Sequence, residues 1–119
     1  MREKKQSEDD FQKECVRWIE LQYPKLLVHH SPNGGKRNAR EALKFKKMGT
    51  RAGCPDLMIY KKSKQYAGLA IELKVGTNGT TENQDLFLAE LTANGWYCIV
   101  IRKMDIFMQT VKEYMSDAI

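Results

Sequence analysis

The chain has 119 residues, 42% of them hydrophobic and 29% charged, which is room for one domain with one core and too apolar for a wholly disordered chain. Its 20 Lys+Arg and 15 Asp+Glu give a formal charge of +5, unevenly placed: ten basic residues and two acids lie between Lys25 and Lys62, leaving that segment at +8 and the remainder at −3. No stretch approaches the roughly 20 apolar residues of a membrane span, no apolar run follows the charged N-terminus as in a signal peptide, and three scattered cysteines suggest neither a disulfide framework nor a paired zinc site.

An intracellular, cytoplasmic location follows, with Cys15, Cys54 and Cys98 expected as small core hydrophobes. Ser7-Glu8-Asp9-Asp10 reads as a helix start, with a hydroxyl to cap and acids in the first turn. Phe11, Cys15, Trp18 and Ile19 then form an apolar stripe, and Pro24 stops the helix. Residues 26–30 are a short strand, closed by the turn formers Ser31-Pro32-Asn33-Gly34-Gly35. Residues 38–48 form a helix with Ala42, Leu43 and Phe45 inward and lysines outward, ended by Gly49. Residues 56–60 and 66–75 are strands joined by a tight connection and expected to pair antiparallel. Thr80 or Thr81 caps a helix that ends near Asn94-Gly95. Residues 96–102 form another strand, and residues 106–115 an amphipathic helix carrying Phe107, Val111 and Tyr114. This alternation predicts an α/β layered sandwich with a mixed sheet.

The stretch from Ala67 to Val75 carries the chemistry. Alternation across a strand puts Leu69, Ile71, Leu73 and Val75 on one face and Glu72 and Lys74 on the other. A buried carboxylate and ammonium are costly unless paired or used on a metal. On an edge strand the same pair is only a solvent-facing ion pair. Asp56 opens the preceding strand, and a hairpin brings it toward Glu72 and Lys74. Asp56 and Glu72, with the Leu73 carbonyl as a third oxygen, suit Mg2+, with Mn2+ as a substitute; there is no soft ligand cluster for zinc. Such a cation acidifies a bound water and neutralises phosphodiester charge, and Lys74 can stabilise the charge that develops.

Gly49-Thr50-Arg51-Ala52-Gly53-Cys54-Pro55-Asp56, followed by Ile71-Glu72-Leu73-Lys74 and Gln84, resembles the PD-(D/E)XK nuclease superfamily, and more narrowly the VRR-NUC domain in its stand-alone, phage-type form. The resemblance runs from about Glu8 to Arg102. It implies a restriction-endonuclease-like three-layer sandwich with a central mixed β-sheet, core order αβββαβ plus extra helices, as a single domain over residues 1–119. It also implies Asp56 and Glu72 as metal ligands, Lys74 as the catalytic lysine, Gln84 as a polar residue near the phosphate or metal water, and Glu8 as the first-helix acid. Glu14 is a rival for that last role. Asn33, Gly34 and Gly35 match a loop before the basic helix, where Arg37 is the candidate phosphate contact. Cys54 and Ala52 depart from the usual residues without removing a ligand. His29 and His30 sit at a strand end and are not needed by the motif.

The leading expectation is a divalent-metal-dependent DNA endonuclease. Lys36, Arg37, Arg40, Lys44, Lys46, Lys47 and Arg51 would make sequence-independent backbone contacts. For small stand-alone members the resemblance implies branched DNA such as four-way junctions, and a homodimer; a replication or repair protein partner, in a bacterial or phage-infected cell, is a further expectation. The alternatives are a catalytically silent nucleic-acid-binding module, and a protein-interaction domain whose charged strand is an exposed edge.

Overall fold

Residues 6–31, 39–49 and 51–119 are described by a computed structural model of the chain. Helix α1 (Glu8–Gln22) begins where the Ser7 hydroxyl accepts from the Asp10 amide and three acids occupy the first turn. Both features satisfy the electropositive end of a helix. Strand β1 (Val28–His30), helix α2 (Ala39–Lys47), strands β2 (Leu57–Ile59) and β3 (Leu69–Leu73), helix α3 (Glu82–Ala93), strand β4 (Tyr97–Ile101) and helix α4 (Met104–Met115) follow. The four strands form one sheet in the order β1-β2-β3-β4. β1 with β2 and β2 with β3 are antiparallel; β3 with β4 is parallel, the two joined through α3. The sheet is therefore mixed, as the alternation of elements predicts.

Alternation sorts the sheet into two faces. Leu57, Ile59, Leu69, Ile71, Leu73 and Ile101 form one face with Phe11, Cys15 and Ile19 of α1 and Phe107, Val111 and Tyr114 of α4. Trp18 meets Phe107 edge-on with centroids 5.9 Å apart, locking the two helices together. α3 covers the opposite face, where the Cys98 thiol reaches the Leu88 carbonyl at 3.6 Å. Helices, sheet and helix make three layers.

β3 lies between β2 and β4 and all five of its residues are buried. Glu72 is 1% and Lys74 5% exposed. The charged strand is central, which overturns the reading of it as a solvent-facing edge. β3 is also shorter than residues 66–75, and the connection before it is not tight. Ser63 and Tyr66 close a separate turn through Ser63 N–H to the Tyr66 carbonyl (2.9 Å) and Tyr66 N–H to the Ser63 hydroxyl (3.0 Å). The Tyr114 hydroxyl ties this loop down by donating to the Lys61 carbonyl at 2.6 Å.

Leu43 is 53% exposed rather than inward. Among the described residues α2 makes no extensive contact with another element, so its apolar side chain has no core to join. Ala42 and Phe45 lie outside the described side chains. Of the cysteines only Cys15 is a core residue; Cys54 and Cys98 are half-buried. Among the described residues no helix is long and apolar enough to cross a membrane.

Gly68 lies beneath the Trp96 indole, which fills the place a Cβ would take. Trp96 is held there by an edge contact with Tyr60 at 5.6 Å between centroids. Gly68→Ala is expected to cost about 1–3 kcal/mol through overpacking. Gly79→Ala, where a Cβ meets nothing within 4 Å, should stay within about 0.5 kcal/mol. Urea denaturation of both variants checks this, and equal midpoints would contradict it.

Candidate active site

The register that sets Leu57 against Ile71 carries Asp56 opposite Glu72 one step further along the same pair of strands. Both side chains leave the sheet on the face covered by α3. Asp56 is 7% exposed, and its Oδ2 accepts from the Leu73 amide at 2.7 Å, which fixes the direction of the carboxylate. Lys74 continues the ladder beyond β3, its amide donating to the Ile101 carbonyl at 3.0 Å. Its Nζ lies 3.7 Å from Glu72 Oε1.

Glu72 is held at one oxygen and open at the other. Oε1 accepts from Gln84 Nε2 at 2.9 Å. Oε2 is buried and meets no donor. Burial first, then the charge of the neighbouring Asp56 carboxylate and its hydrogen bond, push the Glu72 carboxyl from 4.5 up to about 9. The Lys74 ammonium pulls the other way and is outweighed, while Glu8 adds a smaller push upward.

Gln84 reaches this place because of how α3 starts. Thr81 is the cap: its hydroxyl accepts from the Gln84 amide at 3.2 Å, and Gln84 Oε1 accepts from the Thr81 amide at 2.9 Å. This capping box fixes the carboxamide so that its nitrogen points at Glu72. Gln84 is thus both a helix-start residue and a site residue. Gly53 brings the two halves together. Its φ is +88°, and a Cβ would overlap the Asn83 carbonyl and come within 2.8 Å of the Gln84 amide. Only glycine lets the loop before Asp56 lie against the first turn of α3.

Glu8 opens α1 and accepts from Asn78 Nδ2 at 3.4 Å across the turn after β3. Of the two candidate first-helix acids, Glu8 and Glu14, its charge is the one that reaches Glu72. Glu14 instead accepts from Gln6 at 2.8 Å on the exposed side of the helix. Arg40, Lys44, Lys46 and Lys47 are exposed on α2. Arg51 lies against α3, paired with Glu90 at 2.7 Å and stacked over Phe87 with its guanidinium carbon 5.0 Å from the ring centre. Asn33, Gly34, Gly35, Lys36 and Arg37 lie outside the described residues. His29 and His30 are exposed on β1. Sequence reasoning did not single out Asn78 or the buried Ser31, which meets the Pro55–Asp56 backbone; neither belongs to a motif, and only the fold makes them neighbours of the site.

Among the described residues no group of three or more His, Cys, Asp or Glu side chains is arranged to hold a metal ion. Two carboxylates face each other, however, and one has a buried oxygen without a donor. This fits a hard divalent cation that takes two carboxylate oxygens and completes its shell from backbone and water, as Mg2+ does. It does not fit zinc, which wants more nitrogen or sulfur ligands.

A profile of the VRR-NUC domain matches residues 3–104. A solved structure described as a VRR_NUC domain protein superposes with a TM-score of 0.76 at 29% identity, covering 95% of this chain and 91% of that one. No curated protein matches the sequence.

The raised Glu72 carboxyl makes stability pH-dependent. Between 4.5 and about 9 the folded state binds more protons than the unfolded state. The contribution of this group is therefore complete at the lower value and lost on approaching the upper, with a slope of at most about 1.4 kcal/mol per pH unit. Metal-free protein is expected to lose stability from pH 5 to pH 9, and Glu72→Gln, which stays neutral, to flatten that slope. Urea denaturation across this range checks the sign; parallel profiles would contradict it.

Proposed function

The chain belongs to the VRR-NUC domain family, a nuclease-type domain, and on that premise we propose that it is a divalent-metal-dependent DNA endonuclease that hydrolyses phosphodiester bonds in branched DNA. The observation that carries this reading is the buried Asp56–Glu72 pair with a donor-less Glu72 oxygen beside Lys74. Two carboxylates without a cation are poorly matched to a polyanionic substrate, whereas the same pair loaded with one becomes attractive to phosphate.

Asp56 and Glu72 would hold Mg2+ or Mn2+, with the Leu73 carbonyl as a further oxygen. Bound there, the cation supplies positive charge for the phosphodiester and acidifies water. The chain's own residues do the rest. The Leu73 amide and Gln84 each hold one oxygen of a liganding carboxylate, so the carboxylates are oriented before any substrate arrives. Lys74, anchored through its amide and 5% exposed, presents a fixed ammonium to the charge that grows on the phosphate in the transition state. Glu8 contributes negative charge at the rim. Arg40, Lys44 and Lys47 are exposed on one short helix and would hold the DNA backbone; Asn33, Arg37 and Arg51 extend that role. A homodimer would match symmetric cutting of both strands of a four-way junction.

Cleavage of linear, flapped, forked and four-way-junction DNA, with and without Mg2+, tests the reading. Product is expected only with the cation, and Lys74→Ala or Asp56→Asn should lower the rate by about 10²–10³-fold. Binding without cleavage in either Mg2+ or Mn2+ would favour a silent binding module. The α2 cations make a separate expectation. Joint replacement of Arg40 and Lys44 by alanine should weaken binding to every DNA geometry alike and reduce the slope of log affinity against log salt by about 2; an unchanged slope would remove α2 from the interface.

A further inference from the structure

Ser31, just past the end of β1, is 4% exposed. Its amide donates to the Asp56 carbonyl at 2.9 Å. Its hydroxyl donates to the Pro55 carbonyl at 3.0 Å, with the Cys54 sulfur 3.2 Å away. A single residue thus grips two consecutive carbonyls at the point where the chain delivers Asp56. Pro55 has no N–H, so its carbonyl is the one backbone polar group that this residue itself offers for a tether. The grip is itself held from the far side: Gln12 Nε2 on α1 donates to the Ser31 carbonyl at 3.1 Å. Gln12 lies one turn after Glu8, and its helix is fixed in the core by Phe11, Cys15 and Ile19.

We propose that Ser31, braced by Gln12, is a positioning residue that sets the Asp56 carboxylate for cation binding. This rests on the metal-site reading above. Asp56 has its side chain oriented by the Leu73 amide from β3 and its backbone oriented by Ser31 from β1. The carboxylate is therefore placed by strands on both sides of it. Loss of the Ser31 hydroxyl releases the Pro55 carbonyl and leaves the Pro55–Asp56 peptide held from Ser31 by the backbone bond to Asp56 alone, and a carboxylate displaced by a fraction of an ångström no longer shares a cation with Glu72.

The test is Mn2+ affinity, measured on the metal-free full chain by electron paramagnetic resonance titration, with the folded fraction followed by circular dichroism. Ser31→Ala is expected to weaken Mn2+ binding by about tenfold or more, in the range of other residues that orient metal ligands. Gln12→Met, which keeps the side-chain length but not the donor, should weaken it in the same direction. Tyr114→Phe is the control. It removes a comparable hydroxyl-to-carbonyl bond to Lys61, beyond the opposite end of β2, and should leave Mn2+ affinity within about twofold. Wild-type affinity in Ser31→Ala, or equal weakening in all three variants, overturns the proposal. Where Ser31→Ala does not fold, Gln12→Met decides, and wild-type affinity there overturns it too. A wild-type chain that binds no Mn2+ overturns the metal reading and this proposal together, a result distinct from a wild type that binds and a variant that binds equally well.

Discussion

Two antiparallel strands in the register that sets Leu57 against Ile71 must also set Asp56 against Glu72, and two carboxylates at that distance inside a protein repel each other. Much of the surrounding structure answers that constraint. The Leu73 amide takes one oxygen of Asp56, Gln84 takes one oxygen of Glu72, and Lys74 supplies the opposite charge at 3.7 Å. These do not offset the loss of water and the repulsion together: burial first, and then the Asp56 charge, keep the Glu72 carboxyl protonated far above the usual carboxylate range. One oxygen remains without a donor. Incomplete satisfaction of a buried polar group is costly, and functional sites are where such costs concentrate.

The site is built at the meeting of three layers, and each layer reaches it through its own device. The outer helix α3 arrives by its cap, since the Thr81–Gln84 box also aims the carboxamide at Glu72. The loop before β2 arrives by a glycine, since a Cβ at Gly53 would collide with the first turn of α3. The α1 layer arrives through Gln12 and Ser31. Behind them, the apolar face shared by the sheet, α1 and α4 holds the strands in place. Apart from the Leu73 amide, which holds Asp56, this packing does not touch the site, yet a shift of one residue in the strands would turn Glu72 into the core and Ile71 toward α3.

Much of the chain was legible before folding. The Ser7 start of α1, the Thr81 start of α3 and the inward residues of α4 each follow from local rules that tertiary contacts did not override. Asp56, Glu72, Lys74 and Gln84 stood out through a motif with a fixed order. Leu43 shows where local rules fail: helical periodicity marks an apolar side, but not whether anything is there to cover it. The loop after β2 shows the same failure for strands: the polar residues 61–65 do turn the chain, but Tyr66 closes that turn with Ser63 instead of starting the strand, which begins only at Leu69. Ser31 and Gln12 carried no signal beyond a turn former and a polar helix residue.

The sequence by itself determined the order of elements, the alternation that separates Leu69, Ile71 and Leu73 from Glu72, and membership of a nuclease-type family. Those properties depend on neighbours a few residues apart and on motif order. Only the tertiary structure decided that Glu72 and Lys74 are buried rather than on an edge, that the Glu72 carboxyl is pushed up to about 9, and which of the two candidate acids of α1, Glu8 and Glu14, bears on it. Burial of β3 is supplied by β2 and β4 at its sides, by α1 and α4 on its apolar face and by α3 on the face of Glu72. The electrostatics of a carboxylate depend on how far it is from water and on the groups that replace that water, and the chain brings those groups from positions as distant as Glu8 and Gln84.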